Sequence, residues 1–101
     1  MRNPSIGLIC KSHNYETING STMTGNWVIS PNKIETLVGK DVILTESSSK
    51  PAYKGGKITG YNRLENGKYM LFFREDSAYA GYAAHVPGWS GNPGTNPVRY
   101  L

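Results

Sequence analysis

Short apolar clusters alternate along the chain with polar, turn-forming stretches, a spacing that predicts strands more often than helices. Ile6 to Lys11 reads as a short buried strand through Ile6, Leu8, Ile9 and Cys10, with Gly7 allowing a close approach. Residues 12–25 are polar and turn-rich, with a turn at Asn19-Gly20 and an exit at Gly25. Asn26 to Ser30 predicts a second strand holding Trp27, Val28 and Ile29. A helix start follows. Ser30 is a capping residue, Pro31 suits the first helical position, and Ile34, Leu37 and Val38 fall on one face. Gly39 supplies the stop, which leaves a helix of about two turns that depends on packing rather than propensity.

Asp41 to Glu46 predicts another strand, and Ser47 to Pro51 a loop. Gly56–Leu64 and Lys68–Arg74 form the strongest hairpin pattern, with Asn66-Gly67 between them as a type I′ signal. Strict alternation would put Lys57, Thr59, Tyr61 and Arg63 on one face and Ile58, Gly60 and Leu64 on the other. A glycine inside this strand, Gly60, points to a bulge or sharp bend. From Ser77 onward the chain is rich in Gly and Pro yet carries Tyr79, Tyr82, Trp89 and Tyr100, which predicts an ordered irregular segment. Val98 to Leu101 is expected to return as a closing strand. No internal repeat or linker interrupts residues 1–101. The expectation is a single, mostly β (α+β) domain, built as a small barrel with one or two short helices and an irregular Gly/Pro-rich C-terminal segment.

Length and charge narrow the picture. With 101 residues the chain supports one small core. Eleven Lys and Arg against seven Asp and Glu give a formal charge of +4. Between residues 50 and 74, Lys50, Lys54, Lys57, Arg63, Lys68 and Arg74 face a single acid, Glu65, although Glu75 and Asp76 follow at once. Tyr53, Tyr61, Tyr69, Phe72 and Phe73 are interleaved with them. Cations that neutralise phosphates beside rings that stack on bases suit RNA or DNA. The same residues also suit a solvated strand face whose lysines discourage edge aggregation. One cysteine, Cys10, excludes an internal disulfide and fits a reducing, cytoplasmic setting. No apolar run reaches the length of a membrane span, and Lys11, His13 and Asn14 follow too soon for a signal peptide.

The run Gly39-Lys40-Asp41-Val42-Ile43-Leu44, then Thr45-Glu46-Ser47-Ser48-Ser49-Lys50-Pro51, then Gly56, Ile58 and Gly60, resembles the PUA-like superfamily. Within that superfamily it is most similar to EVE domains, over roughly residues 26–64. In that pattern a short helix ends in Gly, a charged residue opens a strand, a Ser and a Lys-Pro pair follow, and a glycine-containing strand returns. The resemblance implies a pseudobarrel that binds nucleic acid, with a modified or flipped base held in an aromatic pocket. It would place Ser47 and Lys50 at the pocket mouth, with Trp27 lining it.

The residues themselves give a compatible list. Lys50, Lys54, Lys57, Arg63 and Arg74 are the expected phosphate contacts, and Trp27, Tyr53, Tyr61 and Trp89, with Ser47, the expected stacking or pocket residues. No catalytic residue, metal or cofactor is expected. His13 and Cys10 have no second ligand pair, and Gly55-Gly56 lacks the Lys-Ser/Thr of a phosphate loop. Gly88-Trp89-Ser90-Gly91 is not a nucleophile elbow. An enzyme would have to draw on His85 with Glu75 or Asp76. The competing reading is an accessory protein of the phage or mobile-element type, binding another protein or itself through its aromatic tail, without catalysis.

Overall fold

Strands account for most of the described residues, as the short apolar clusters predict. The computed structural model describes residues 4–10, 15–46, 51–82 and 98–100. Its strands are β1 (Ile6–Ile9), β2 (Tyr15–Ile18), β3 (Ser21–Trp27), β4 (Asp41–Thr45), β5 (Ala52–Arg63), β6 (Tyr69–Glu75) and β7 (Val98–Tyr100). One helix, α1 (Pro31–Leu37), lies between β3 and β4, and a 3-10 turn, Ser77–Tyr79, follows β6. The strands form one sheet in the order β2-β3-β6-β5-β4-β1-β7. β1 and β4 run parallel and the other neighbours antiparallel. The fold is therefore a small α+β fold, mostly β. No described helix is long and apolar enough to cross a membrane.

The sheet is open rather than barrel-shaped, because β2 and β7 stand at its two edges. It is nevertheless curled. The ring of Tyr15, on edge strand β2, lies 6.2 Å from that of Tyr53 on β5, three strands away in the sheet order. On the inner face, Ile6, Leu8, Val42, Leu44, Ile58, Leu71 and Phe73 form the main core with Trp27 and Ile29. Ile34 and Leu37 of α1 join this core. The backbone N–H of Ser30 donates to the Tyr100 hydroxyl at 3.0 Å, and the Lys33 ammonium stands over the same ring at 5.0 Å. The helix and the start of its turn thus cover the side of the core where a barrel would have used a strand.

Several expectations hold. The helix starts with Pro31 in its first turn, β7 returns beside β1, and the register of β5 against β6 breaks between Ile58 and Gly60. Other expectations need correction. Residues 12–25 hold most of a hairpin, β2–β3, instead of a turn-rich stretch, and Trp27 ends β3 instead of opening a strand at 26–30. Its apolar alternation is hidden because the buried positions are Thr22 and Thr24. Thr22 exchanges a hydroxyl hydrogen bond with Thr17 at 2.9 Å, and Thr24 accepts one from the Trp27 indole N–H at 3.1 Å. Paired hydroxyls of this kind are buried at little cost.

The type I′ geometry belongs to the other Asn-Gly pair. Asn19 and Gly20 both have positive φ, 52° and 81°. At the β5–β6 turn only Gly67 does, at 81°. There the Gly67 N–H donates to the Leu64 carbonyl and the Leu64 N–H to that of Lys68, which makes a three-residue loop. Ser30 stands at the N-cap, with its backbone carbonyl taking the Lys33 and Ile34 N–H groups, but its hydroxyl makes no capping hydrogen bond. Val38 is 44% exposed rather than on the buried helix face, because α1 has already ended at Leu37.

The break at Thr59 inverts the side-chain alternation of β5. Before it, Ile58 pairs with Phe73, and after it Tyr61 pairs with Leu71 and Arg63 with Tyr69. Tyr61 and Arg63 therefore share the inner face with Ile58. Lys57, Gly60 and Asn62, paired with Arg74, Phe72 and Met70, share the outer one. The expected row Lys57–Thr59–Tyr61–Arg63 does not exist.

Close backbone packing holds β5 in this register. A Cβ at Gly56 would sit 1.8 Å from the Arg74 carbonyl oxygen, whereas one at Gly60 would meet only Phe72 Cδ2, at 3.7 Å. Gly56→Ala is expected to cost more than ~3 kcal/mol or to abolish folding, and Gly60→Ala less than ~1 kcal/mol, as read from urea unfolding. Equal effects of the two would overturn the packing argument.

Candidate nucleic-acid interface

The two faces of the sheet carry different chemistry. At the end of the inner face, beyond the core, Lys54, Glu75, Thr17 and Thr22 gather beneath Tyr15. The Lys54 ammonium pairs with the Glu75 carboxylate and lies 4.7 Å from the Tyr15 ring centroid. The hydrogen bond from Lys54, helped by Thr22 and Thr17, holds the Glu75 carboxyl below the ordinary glutamate range. An open cavity of about 340 Å³ adjoins them, lined by Tyr53, Lys54, Glu75, Asp76 and Ser77 among others. Its one cation is matched by Glu75, and Asp76 adds a second carboxylate, so the cavity offers a phosphate little attraction. Asp76 also accepts from the Ala78 N–H at 3.0 Å, capping the 3-10 turn.

The outer face is the reverse. Lys57 and Arg74 are directly opposite each other on β5 and β6, and both are exposed. Asp41 is the cross-strand neighbour of Lys57 on β4, but its carboxylate accepts the Tyr79 hydroxyl at 2.5 Å. Among the described residues no carboxylate pairs with Lys57 or Arg74. One step along the same face are Phe72 and, on either side of it, Gly60 and Met23. Met70 and Asn62 follow. Phe72, Met23 and Met70 are each partly exposed, and Asn62 is exposed. Glu16 of β2 closes the Phe72 row beyond Met23. Towards β4 the outer face is covered differently: Ile43, Ala52 and Tyr79 pack there into a second, smaller core, with Tyr82 against it.

The expected site residues are therefore dispersed. Lys57 and Arg74 meet on the outer face. Arg63 is exposed at the hairpin end on inner-face parity, and Lys54 is engaged with Glu75. Trp27 is a core side chain, 7% exposed, with its indole N–H given to Thr24. Tyr53 donates its hydroxyl to the Cys10 carbonyl at 2.9 Å. Burial and then that bond push its ionisation far above the ordinary tyrosine range. Tyr61 packs edge-on to Tyr69, ring centroids 5.8 Å apart. Ser47, Lys50 and Trp89, like His13 and His85, lie outside the described residues. Phe72 stands in the sequence among the aromatics interleaved with the basic residues of 50–74, with nothing there to set it apart from Phe73. Its outward direction follows from alternation along β6, where Phe73 is buried. Among the described residues no three His, Cys, Asp or Glu side chains group as metal ligands. Compared with known protein families, with curated proteins and with solved structures, the chain matches none.

The Glu75 carboxyl titrates lower in the folded chain than its ordinary 4.5, so its ionised form adds stability above that pH. This stability is lost as pH falls through the lower folded value. Urea midpoints of the native chain are expected to drop between about pH 5 and about pH 3, and Glu75→Gln to be less stable at neutral pH with a shallower acid decline. Parallel curves for the two proteins would remove Glu75 from the acid response.

Proposed function

We propose that this protein is a small nucleic-acid-binding domain whose phosphate contacts are Lys57 and Arg74 on the outer face of the sheet. One observation carries the reading: two exposed cations stand directly opposite each other, with no carboxylate partner among the described residues, beside a partly exposed ring. Like charges opposed across a strand pair destabilise the sheet. A polyanion laid across both would turn that repulsion into attraction, with release of counterions. The excess of basic residues in the whole chain, +4, favours the same partner. Lys54 is left out of the contact set because Glu75 already neutralises it.

The PUA-like pseudobarrel belongs to this proposal. The curl of the sheet and the short helix over its core support that reading, and the open edges at β2 and β7 make it a departure from a closed barrel. Recognition of a flipped base would need a slot other than the Trp27 ring, which is sealed in the core.

Affinity for labelled oligonucleotides is expected to fall steeply with rising salt, and Lys57→Ala/Arg74→Ala to reduce the slope of log K against log salt by about 1.4 to 1.8. Because the two side chains repel each other, the double variant is expected to be as stable as the parent or slightly more so. No binding at low ionic strength, or an unchanged slope, would overturn the proposal.

A further inference from the structure

We infer that the nucleic acid taken by this face is single-stranded, with one base stacked on Phe72. The inference rests on the reading of Lys57 and Arg74 as phosphate contacts and adds the form of the ligand. Phe72 points outward from the middle of the sheet, between Met23 on β3 and Gly60 on β5. Gly60 presents no side chain, and a Cβ there would stand 3.7 Å from Phe72 Cδ2. Between Gly60 and Lys57 on the same face stands the exposed Thr59, whose hydroxyl donates to the Phe72 carbonyl at 3.3 Å, so the open flank of the ring on β5 is the one over Gly60.

The geometry fits one nucleotide. Residues two apart on a strand point the same way about 7 Å from each other, so Arg74 flanks Phe72 on β6 at the reach of a base from its own phosphate. Lys57 widens the cationic side of the row across β5. Glu16, exposed beyond Met23, carries the opposite charge and keeps a phosphate backbone from running over β2. The backbone is therefore confined to the Lys57–Arg74 side, while the base covers Phe72. Asn62, exposed on the far side of the ring, supplies an amide for a base edge. A duplex keeps its base faces stacked on one another and has none to offer Phe72, whereas a single strand does.

Fluorescence anisotropy with a short labelled oligothymidine and with its duplex tests this at matched ionic strength. The single strand is expected to bind more tightly. Phe72→Leu is expected to weaken it by about 5- to 150-fold while leaving the duplex unchanged, and Phe72→Tyr, which keeps the ring, to retain the affinity. Thermal melts of both variants separate loss of binding from loss of fold. Equal affinity for the two forms, or an equal loss for both in Phe72→Leu, would overturn the single-strand inference and leave the phosphate reading standing. Absence of binding to either form at low salt would remove the phosphate reading, and this inference with it.

Discussion

The backbone of Gly56 runs so near to Arg74 that a single methyl group on its α-carbon would overlap the Arg74 carbonyl oxygen. That approach fixes β5 against β6. Since β5 is also paired with β4 along its first half, it ties the parallel β1–β4 unit to the β6–β3–β2 side of the sheet. Gly55 adds to the constraint from the opposite direction, because a Cβ there would meet the Val42 carbonyl oxygen at 2.7 Å and Tyr79 Cβ at 2.8 Å. With the centre of β5 held between its neighbours, the strand adapts outside it, at the register breaks beside Tyr53 and Thr59. Breaks of this kind increase local twist, and the sheet curls enough to bring Tyr15 over Tyr53 and Lys54.

The curl separates two kinds of charge. On the inner face Lys54 and Glu75 satisfy one another, threonine hydroxyls complete the carboxylate, and a tyrosine ring covers the ammonium. Each of these groups has its partner within the fold, which is what a structural ion pair requires. On the outer face, among the described residues, no carboxylate pairs with Lys57 or Arg74, and Asp41, across from Lys57 on β4, is engaged by the Tyr79 hydroxyl. The contrast comes from strand alternation. Lys54 and Lys57 are three positions apart on β5, and Arg74 and Glu75 are adjacent on β6, so each pair is divided between the two faces before the break at Thr59 is reached.

Much of this architecture was legible in the sequence. Pro31 with Ile34 and Leu37 marked the helix, Gly60 marked a bulge, and Val98 marked the returning strand. Three physical effects hid the rest. Buried threonines at 22 and 24 made the β2–β3 hairpin look like a polar loop, although Asn19-Gly20 between β-branched residues carries the hairpin signal. The two Asn-Gly pairs are indistinguishable as dipeptides, yet one forms a type I′ turn and the other ends a three-residue loop, because the flanking strands set the register. Gly60 signals the bulge, but a bulge reverses the alternation beyond it, and this puts Tyr61 and Arg63 on the face opposite Lys57. Trp27, expected as a stacking or pocket ring, is a core ring for a related reason: only the hairpin shows that Thr24 lies three residues back on the same strand to receive its indole N–H.

What distinguishes Lys57, Arg74 and Phe72 from the remaining surface is that the fold does not need them in the form they take. A solvent-facing strand pair is more stable with opposite charges or small polar residues opposed than with two cations. Likewise, the inner-face partner of Phe72's strand, Leu71, is wholly buried and secures β6 without help from a ring on the other side. A surface that keeps a repulsive pair next to an apolar ring departs from what strand stability alone would select, and such departures concentrate where a ligand supplies the missing interaction. The two faces of β6 thus divide the work. Tyr69, Leu71 and Phe73 hold the sheet to its core, and Arg74 and Phe72 stand free of that task.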